Sequence, residues 1–194
     1  EENHPSIASS YHNIGSVYDN QEEYTKALEY YLKGLEILRS VNGDNHPSIA
    51  NSFNSIGMVY KNIAPAKDNH EEYTKALEYL FKALDIRKAI YGDSHSSVAN
   101  SYNNIELIYN DQGEYNKALE YHWRSLDIIK SVYEENHPVM ATSYNNIGMV
   151  YRNIALVKEN QEEYTKALEY LLKALGIRKP IYGDSHPLVA ISYN

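Results

Sequence analysis

Apolar residues recur along this chain at helical rather than strand spacing. Ile49, Phe53, Ile56 and Tyr60 fall three and four residues apart, as do Met140, Tyr144, Ile147 and Tyr151. Such intervals put each set on one face of a helix. A partner stretch runs through Tyr73, Ala76, Leu77, Leu80, Leu84 and Ile86 and is expected to stop at Gly92. Alternating strand patterns are absent, so the pattern predicts an all-α protein made of paired helices. Pro47 suits the first position of a helix, where a missing N–H costs nothing, and Asp44 or Asn45 offers a side-chain oxygen to cap the exposed amides. The second helix of each pair is expected to begin near Glu-Glu-Tyr, with acidic residues in a first turn that favours negative charge.

The pairs are repeats. "EEYTKALEY" stands at 22–30, 71–79 and 162–170, and "GEYNKALEY" at 113–121. Histidines at His4, His46, His95, His137 and His186 are separated by 42, 49, 42 and 49 residues, so the true period is a double unit of 91. The long units close with "IRKAIYGDSH" and "IRKPIYGDSH", the short ones with "SVNGDNH" and "SVYEENH". Expected units are 4–45, 46–94, 95–136 and 137–185, with a partial fifth at 186–194, forming one array over residues 1–194. A two-helix unit cannot bury both faces alone, so neighbours must stack to supply a core.

These residues resemble the tetratricopeptide repeat. Its pattern of aromatic, Leu-Gly, Tyr, Ala, aromatic and Ala is matched by Tyr11, Ile14, Gly15, Tyr18, Ala27, Tyr31 and Gly34 in the first unit. The second unit supplies Phe53, Ile56, Gly57, Tyr60, Ala76, Leu80 and Ala83, and the fourth Tyr144, Ile147, Gly148, Tyr151, Ala167, Leu171 and Ala174. The 42-residue length and the "GDNHPSIA" joint are similar to the long repeats of kinesin light chains and nephrocystin-like proteins. The resemblance implies an α-solenoid: a right-handed superhelix of antiparallel helix-turn-helix hairpins whose first helices line a concave groove. Two departures stand out. Glu106 occupies the helix-crossing Gly position of the third unit, which should spread the helices or turn the carboxylate outward. The turn Gly before the second helix survives only as Gly113, leaving Asn20 to close the first helix of unit one.

Composition narrows the function. A formal charge of −8 disfavours a surface that tracks phosphates. The chain has no cysteine, hence neither disulfides nor thiolate metal sites, which suits a reducing, cytoplasmic setting. No apolar run approaches the roughly 20 residues of a membrane span. The chain does not begin with Met and stops within a repeat at "AISYN", as expected of a piece of a longer protein. The five histidines lie on separate units roughly 10 Å apart, too far for shared zinc ligation, and read as helix-start markers. "GDSH" looks like a Ser-His-Asp fragment, but adjacent residues in a turn cannot converge as a triad must. Neither a catalytic centre nor a cofactor is expected, and twenty tyrosines at helical spacing read mainly as core.

The candidate site is the face of the first helices not used for packing. It carries Ser9, His12, Asn13 and Ser16 in unit one, then Asn51, Asn54, Ser55, Met58 and Lys61 in unit two. Unit three adds Asn100, Asn103, Asn104 and Leu107, and unit four Thr142, Asn145, Asn146, Met149 and Arg152. An amide donates and accepts at once, matching the backbone of an extended peptide. Asn is an indifferent helix former, so its repetition asks for a reason. In peptide-binding members of the resembled family, an Asn just before the Leu-Gly pair contacts ligand backbone. The matching residues are Asn13, Asn104 and Asn146, with Ser55 in unit two.

The sequence therefore points to a scaffold that binds an extended peptide or partner helix, with neither nucleic acid nor membrane as partner. The competing expectation is self-association through uncapped ends, with Val189, Ile191 and Tyr193 as an apolar edge. The seven extra residues of the long units, "KNIAPAK" and "RNIALVK", equal about two helical turns. Adding one turn to each arm suits the face pattern: Ile63 and Ile154 extend the first helix, Ala66 and Val157 the second. The turn would fall at 64–66 and 155–157, with Pro65 starting a helix and Leu156 exposed at a tip.

Overall fold

The computed structural model describes residues 4–67 and 70–183. Those residues form eight α-helices and no strand: α1 (Pro5–Asn20), α2 (Tyr24–Asn42), α3 (Pro47–Lys67), α4 (His70–Tyr91), α5 (Ser96–Asp111), α6 (Tyr115–Val132), α7 (Pro138–Lys158) and α8 (Gln161–Tyr182). The chain divides into two compact units, residues 1–108 and 109–194.

In the first unit α1 packs on α2, α2 on α3 and α3 on α4. Its core joins Ala27, Tyr31 and Leu35 of α2 to Ile49, Phe53, Ile56 and Val59 of α3 and Ala83 and Ile86 of α4. In the second unit α6 packs on α7 and α7 on α8, with Ala118 of α6 against Val150 and Ile154 of α7. The glycines permit close helix crossings. A Cβ on Gly57 would lie 3.0 Å from Leu80 Cγ and 3.1 Å from the Ala76 carbonyl, so a side chain there forces the pair apart.

The helix starts are capped by the histidines themselves. Nδ1 of His4, His46, His95 and His137 accepts the backbone N–H two residues on, at 3.1–3.3 Å. Asp44 and Asp93 instead pair with Arg39 and Lys88 at 2.9 and 3.0 Å, which corrects the expected cap. In the first GDSH, His95 caps α5 while Asp93 pairs with Lys88, so that apparent Ser-His-Asp fragment is a helix cap beside an ion pair. His186 lies outside the described residues.

The tyrosines form a repeated clip. Tyr18 stacks on Tyr30, Tyr60 on Tyr79, Tyr109 on Tyr121 and Tyr151 on Tyr170, with ring centroids 5.4–5.7 Å apart. A lysine or arginine covers each ring from the second helix, for example Lys75 over Tyr60 and Lys82 over Tyr79. The rings are half-buried, as residues with one polar end require.

Lengthening of the long hairpins departs from the expected symmetry. α3 runs unbroken through Lys67 and α7 through Lys158, so no turn falls at 64–66 or 155–157. Compared with α1, the first helix gains five residues (21 against 16). The second helix begins three residues earlier in the repeat, at His70 and Gln161. Ala64, Ile154 and Ala155 are buried, which holds the first helix in place past the expected turn. Val157 is therefore 70% exposed rather than inward, while Leu156 is exposed as expected, at 54%. Pro65 lies in the last turn of α3 and starts no helix. The side chain of Ala66 is outside the described set.

Turn chemistry explains where α7 stops. Glu159 adopts the left-handed conformation (φ 50°, ψ 39°), and Asn160 caps α8 by accepting the Glu162 N–H at 2.9 Å. In unit one Glu22 takes the corresponding left-handed turn (φ 60°), a place filled in the third repeat by Gly113 (φ 72°). Asn20 is the last residue of α1, but Gln21 caps it and Glu22 makes the left-handed turn, so Asn20 does not take the place of the turn glycine. Glu71 and Glu162 instead sit in the first turns of α4 and α8.

Candidate functional site

In the first unit the candidate face is built from α1, α3 and α5. Ser9, Asn13, Asn51, Asn100 and Leu107 are exposed, and His12, Ser16, Asn54, Ser55, Met58, Lys61, Asn103 and Asn104 are half-buried. In the second unit α7 exposes Thr142, Met149 and Arg152 and half-buries Asn145 and Asn146. The surface is polar because its amides alternate with residues that face the core, such as Ile56 and Ile105, both fully buried.

Much of this polarity holds the scaffold together. Asn104 Nδ2 donates to Asn54 Oδ1 at 2.7 Å, tying α5 to α3. Ser16 and Ser55 both bond the Tyr31 side chain, whose hydroxyl is pushed up in pKa mainly by burial. The His12 ring lies 5.0 Å from that of Tyr31, and burial lowers its pKa. Asn62 reaches Asp19 at 3.4 Å, and Asn153 reaches Asn110 at 3.1 Å. Ser9 and Thr142 bond back to the carbonyls of Pro5 and Pro138 within their own helices.

Other members of the face remain open. Asn13, Asn100 and Asn146 make no side-chain hydrogen bond among the described residues. The Asn103 Oδ1 is buried and accepts no hydrogen bond from them.

Two arginines not expected at the site join it from the second helices. Arg87 of α4 donates to Ser101 Oγ at 2.7 Å and to Asn51 Oδ1 at 3.1 Å. Arg178 of α8 donates to Asn145 Oδ1 at 3.3 Å. Burial pushes both guanidinium groups below their ordinary pKa, yet arginine stays charged. No carboxylate pairs with Arg87 among the described residues, unlike Lys33, Lys82 and Arg124, each held by a glutamate four residues earlier. The signal was present in sequence: "IRK" recurs at 86–88 and 177–179, one double unit apart.

Glu106 is 3% exposed, so its carboxylate is not turned outward. His122, at the position equivalent to Tyr31, is 1% exposed, and burial lowers its pKa to about 4, leaving the ring neutral at pH 7. No group of three or more His, Cys, Asp or Glu among the described residues is arranged to hold a metal ion. None of the described helices is long and apolar enough to cross a membrane.

Helix pairs repeated in tandem, with Gly15, Gly57 and Gly148 at the crossings of three of them and Glu106 in the other, and carrying an amide-rich face, define an all-α repeat protein of the solenoid class. The chain belongs to the tetratricopeptide repeat family, whose model matches residues 6–72, 69–122, 107–152 and 149–194. No curated protein matches it. Among solved structures it is similar to BtubC (BKLC) from P. vanneervenii, at 23% identity and a TM-score of 0.76, covering 95% of this chain and 68% of that one. A putative kinesin light chain from Podosopora anserina with nearly identical TPR-like repeats is similar at 21% identity and a TM-score of 0.74, covering 97% and 83%. A Rap protein complexed with Competence and Sporulation Factor is similar at 20% identity and a TM-score of 0.64, covering 88% and 42%. These likenesses establish the fold.

Proposed function

We propose that this chain is a non-enzymatic, cytoplasmic scaffold whose repeats form one right-handed array and hold an extended peptide or partner helix along the first helices. The observation that carries the reading is Arg87. A desolvated cation held only by neutral groups, next to the exposed amide of Asn51, suits a carboxylate-bearing ligand. Asn13, Asn100 and Asn146 supply amides for the ligand backbone, while Leu107 and Met149 supply apolar contact. A Rap protein of this fold occurs in complex with a factor, which supports the reading by analogy.

Selection of displayed random peptides on the whole chain tests it. Extended sequences with at least one Asp or Glu should enrich. Their affinity should fall about tenfold or more in Arg87→Ala and in Asn146→Ala, with the helical circular dichroism unchanged. Failure of any peptide to enrich, or equal binding by both variants, would remove the proposal.

A further inference from the structure

One joint between repeats differs chemically from the others. The last residue of α2 is Asn42, whereas the residues in the same register of the later repeats are Tyr91, Tyr133 and Tyr182. Tyr91 stacks on the capping ring of His95 and Tyr133 on that of His137, with centroids 4.5 and 4.4 Å apart. Asn42 instead turns an amide toward the cap of α3. Its Nδ2 lies 3.5 Å from His46 Nδ1 and donates to Ser48 Oγ at 3.4 Å.

Asn42 is also the single asparagine of the chain that precedes a glycine. Gly43 lies just past the helix, exposed, with φ 70° and ψ 179°, and a side chain there would meet nothing within 4 Å. Its N–H bonds to the Arg39 carbonyl at 3.1 Å, a bond at a helix end of the kind that frays. With no Cβ beside it, the Gly43 nitrogen is the least hindered backbone nucleophile next to any asparagine side chain in this protein.

We propose that Asn42 is a site of spontaneous deamidation that alters the joint between α2 and α3. The Gly43 nitrogen bonds to Asn42 Cγ, the Cγ–Nδ2 bond breaks, and the proton lost by Gly43 leaves with Nδ2 as ammonia. Water then opens the cyclic imide at either carbonyl, returning a proton to the nitrogen and leaving aspartate or isoaspartate at position 42. A carboxylate only accepts hydrogen bonds. The donor bond to Ser48 Oγ is therefore lost, and the new group competes with His46 Nδ1 for the N–H and O–H of Ser48. Isoaspartate also adds a methylene to the main chain between the two helices. Both products weaken the α3 cap, and the change is confined to the joint that carries Asn-Gly. The inference is independent of the groove reading, since none of these residues belongs to the peptide face.

Incubation of the whole chain in heavy-oxygen water, followed by tryptic peptide mapping, tests it. Cleavage after Arg39 and Lys61 releases a peptide that holds Asn42, Asn45, Asn51 and Asn54. Heavy oxygen should enter residue 42 about tenfold faster than these or any other asparagine. A protein isoaspartyl methyltransferase should then label the product. Asn42→Gln, whose longer side chain closes the ring far more slowly, should lose both signals. Asn42→Asp supplies the carboxylate directly and should exchange its Ser48 amide hydrogen about fivefold faster than wild type, as a weakened cap requires, with the helical circular dichroism unchanged. Incorporation at residue 42 no faster than at Asn45, or label that persists in Asn42→Gln, would overturn the site. Unchanged Ser48 exchange in Asn42→Asp would overturn its effect on the joint.

Discussion

The first hairpin (α1–α2) and the last (α7–α8) solve the same two problems with different residues. At the helix crossing, Gly15 admits the Tyr31 ring, whose carbons would lie 2.9 Å from an added Cβ. Gly148 admits Leu171 instead, with Cγ at 2.8 Å and the Ala167 carbonyl at 3.1 Å. At the turn, the first hairpin uses three residues with Glu22 left-handed, and the last uses two with Glu159 left-handed and Asn160 as cap. The backbone requirement is shared while the residue that meets it changes. Family patterns written in residue types therefore describe the crossing better than the turn.

Substitutions can break this comparison at its strongest point first. Gly148→Val should destabilise the protein by about 3 kcal/mol, because the carbonyl it meets cannot move aside as a side-chain tip would. Chemical denaturation would show this as a lower midpoint at unchanged slope. A cost below about 1 kcal/mol would mean that the crossing is looser than the geometry indicates.

Asn160→Ala removes the side-chain cap of α8 and should cost about 1 kcal/mol. Glu23→Ala at the start of α2 should cost little, since Glu23 makes no capping bond and its ion pair with Lys26 is exposed. Equal losses at the two sites, measured by the same denaturation, would erase the distinction between the turns. The smallest effect is a gain: Glu22→Gly and Glu159→Gly should each stabilise by about 0.5 kcal/mol by relieving a left-handed conformation that disfavours a Cβ. A loss at either position would show that its carboxylate contributes more than the backbone strain costs.

The repeat, the helix pairs and the crossing glycines could be read from sequence because each rests on local spacing. Ile49, Ile56, Ala76 and Leu80 are buried as their periodicity required. The hairpin tips could not be placed the same way. Seven residues are close to two whole turns, so moving the turn leaves the inward face nearly in phase on either arm. The choice was made by Glu159 and Asn160, and a glutamate in a left-handed turn carries no compositional flag. The amide face was legible as a set of positions, but its internal bonds were not. Asn54 and Asn104 are 50 residues apart, and their contact depends on helix-to-helix distance. Arg87 and Arg178 carry no distinguishing mark in sequence, because a basic residue near a helix C-terminus already has an ordinary explanation in the helix dipole.

The histidine caps have a consequence for proton placement. Each imidazole that accepts a backbone N–H on Nδ1 carries no proton there, so a neutral ring must bear it on Nε2. Four rings, spaced through the chain at one per hairpin, are thereby fixed as a single tautomer. With Nδ1 engaged in the cap, each neutral ring offers its surroundings a donor at Nε2, the same polarity at the start of α1, α3, α5 and α7.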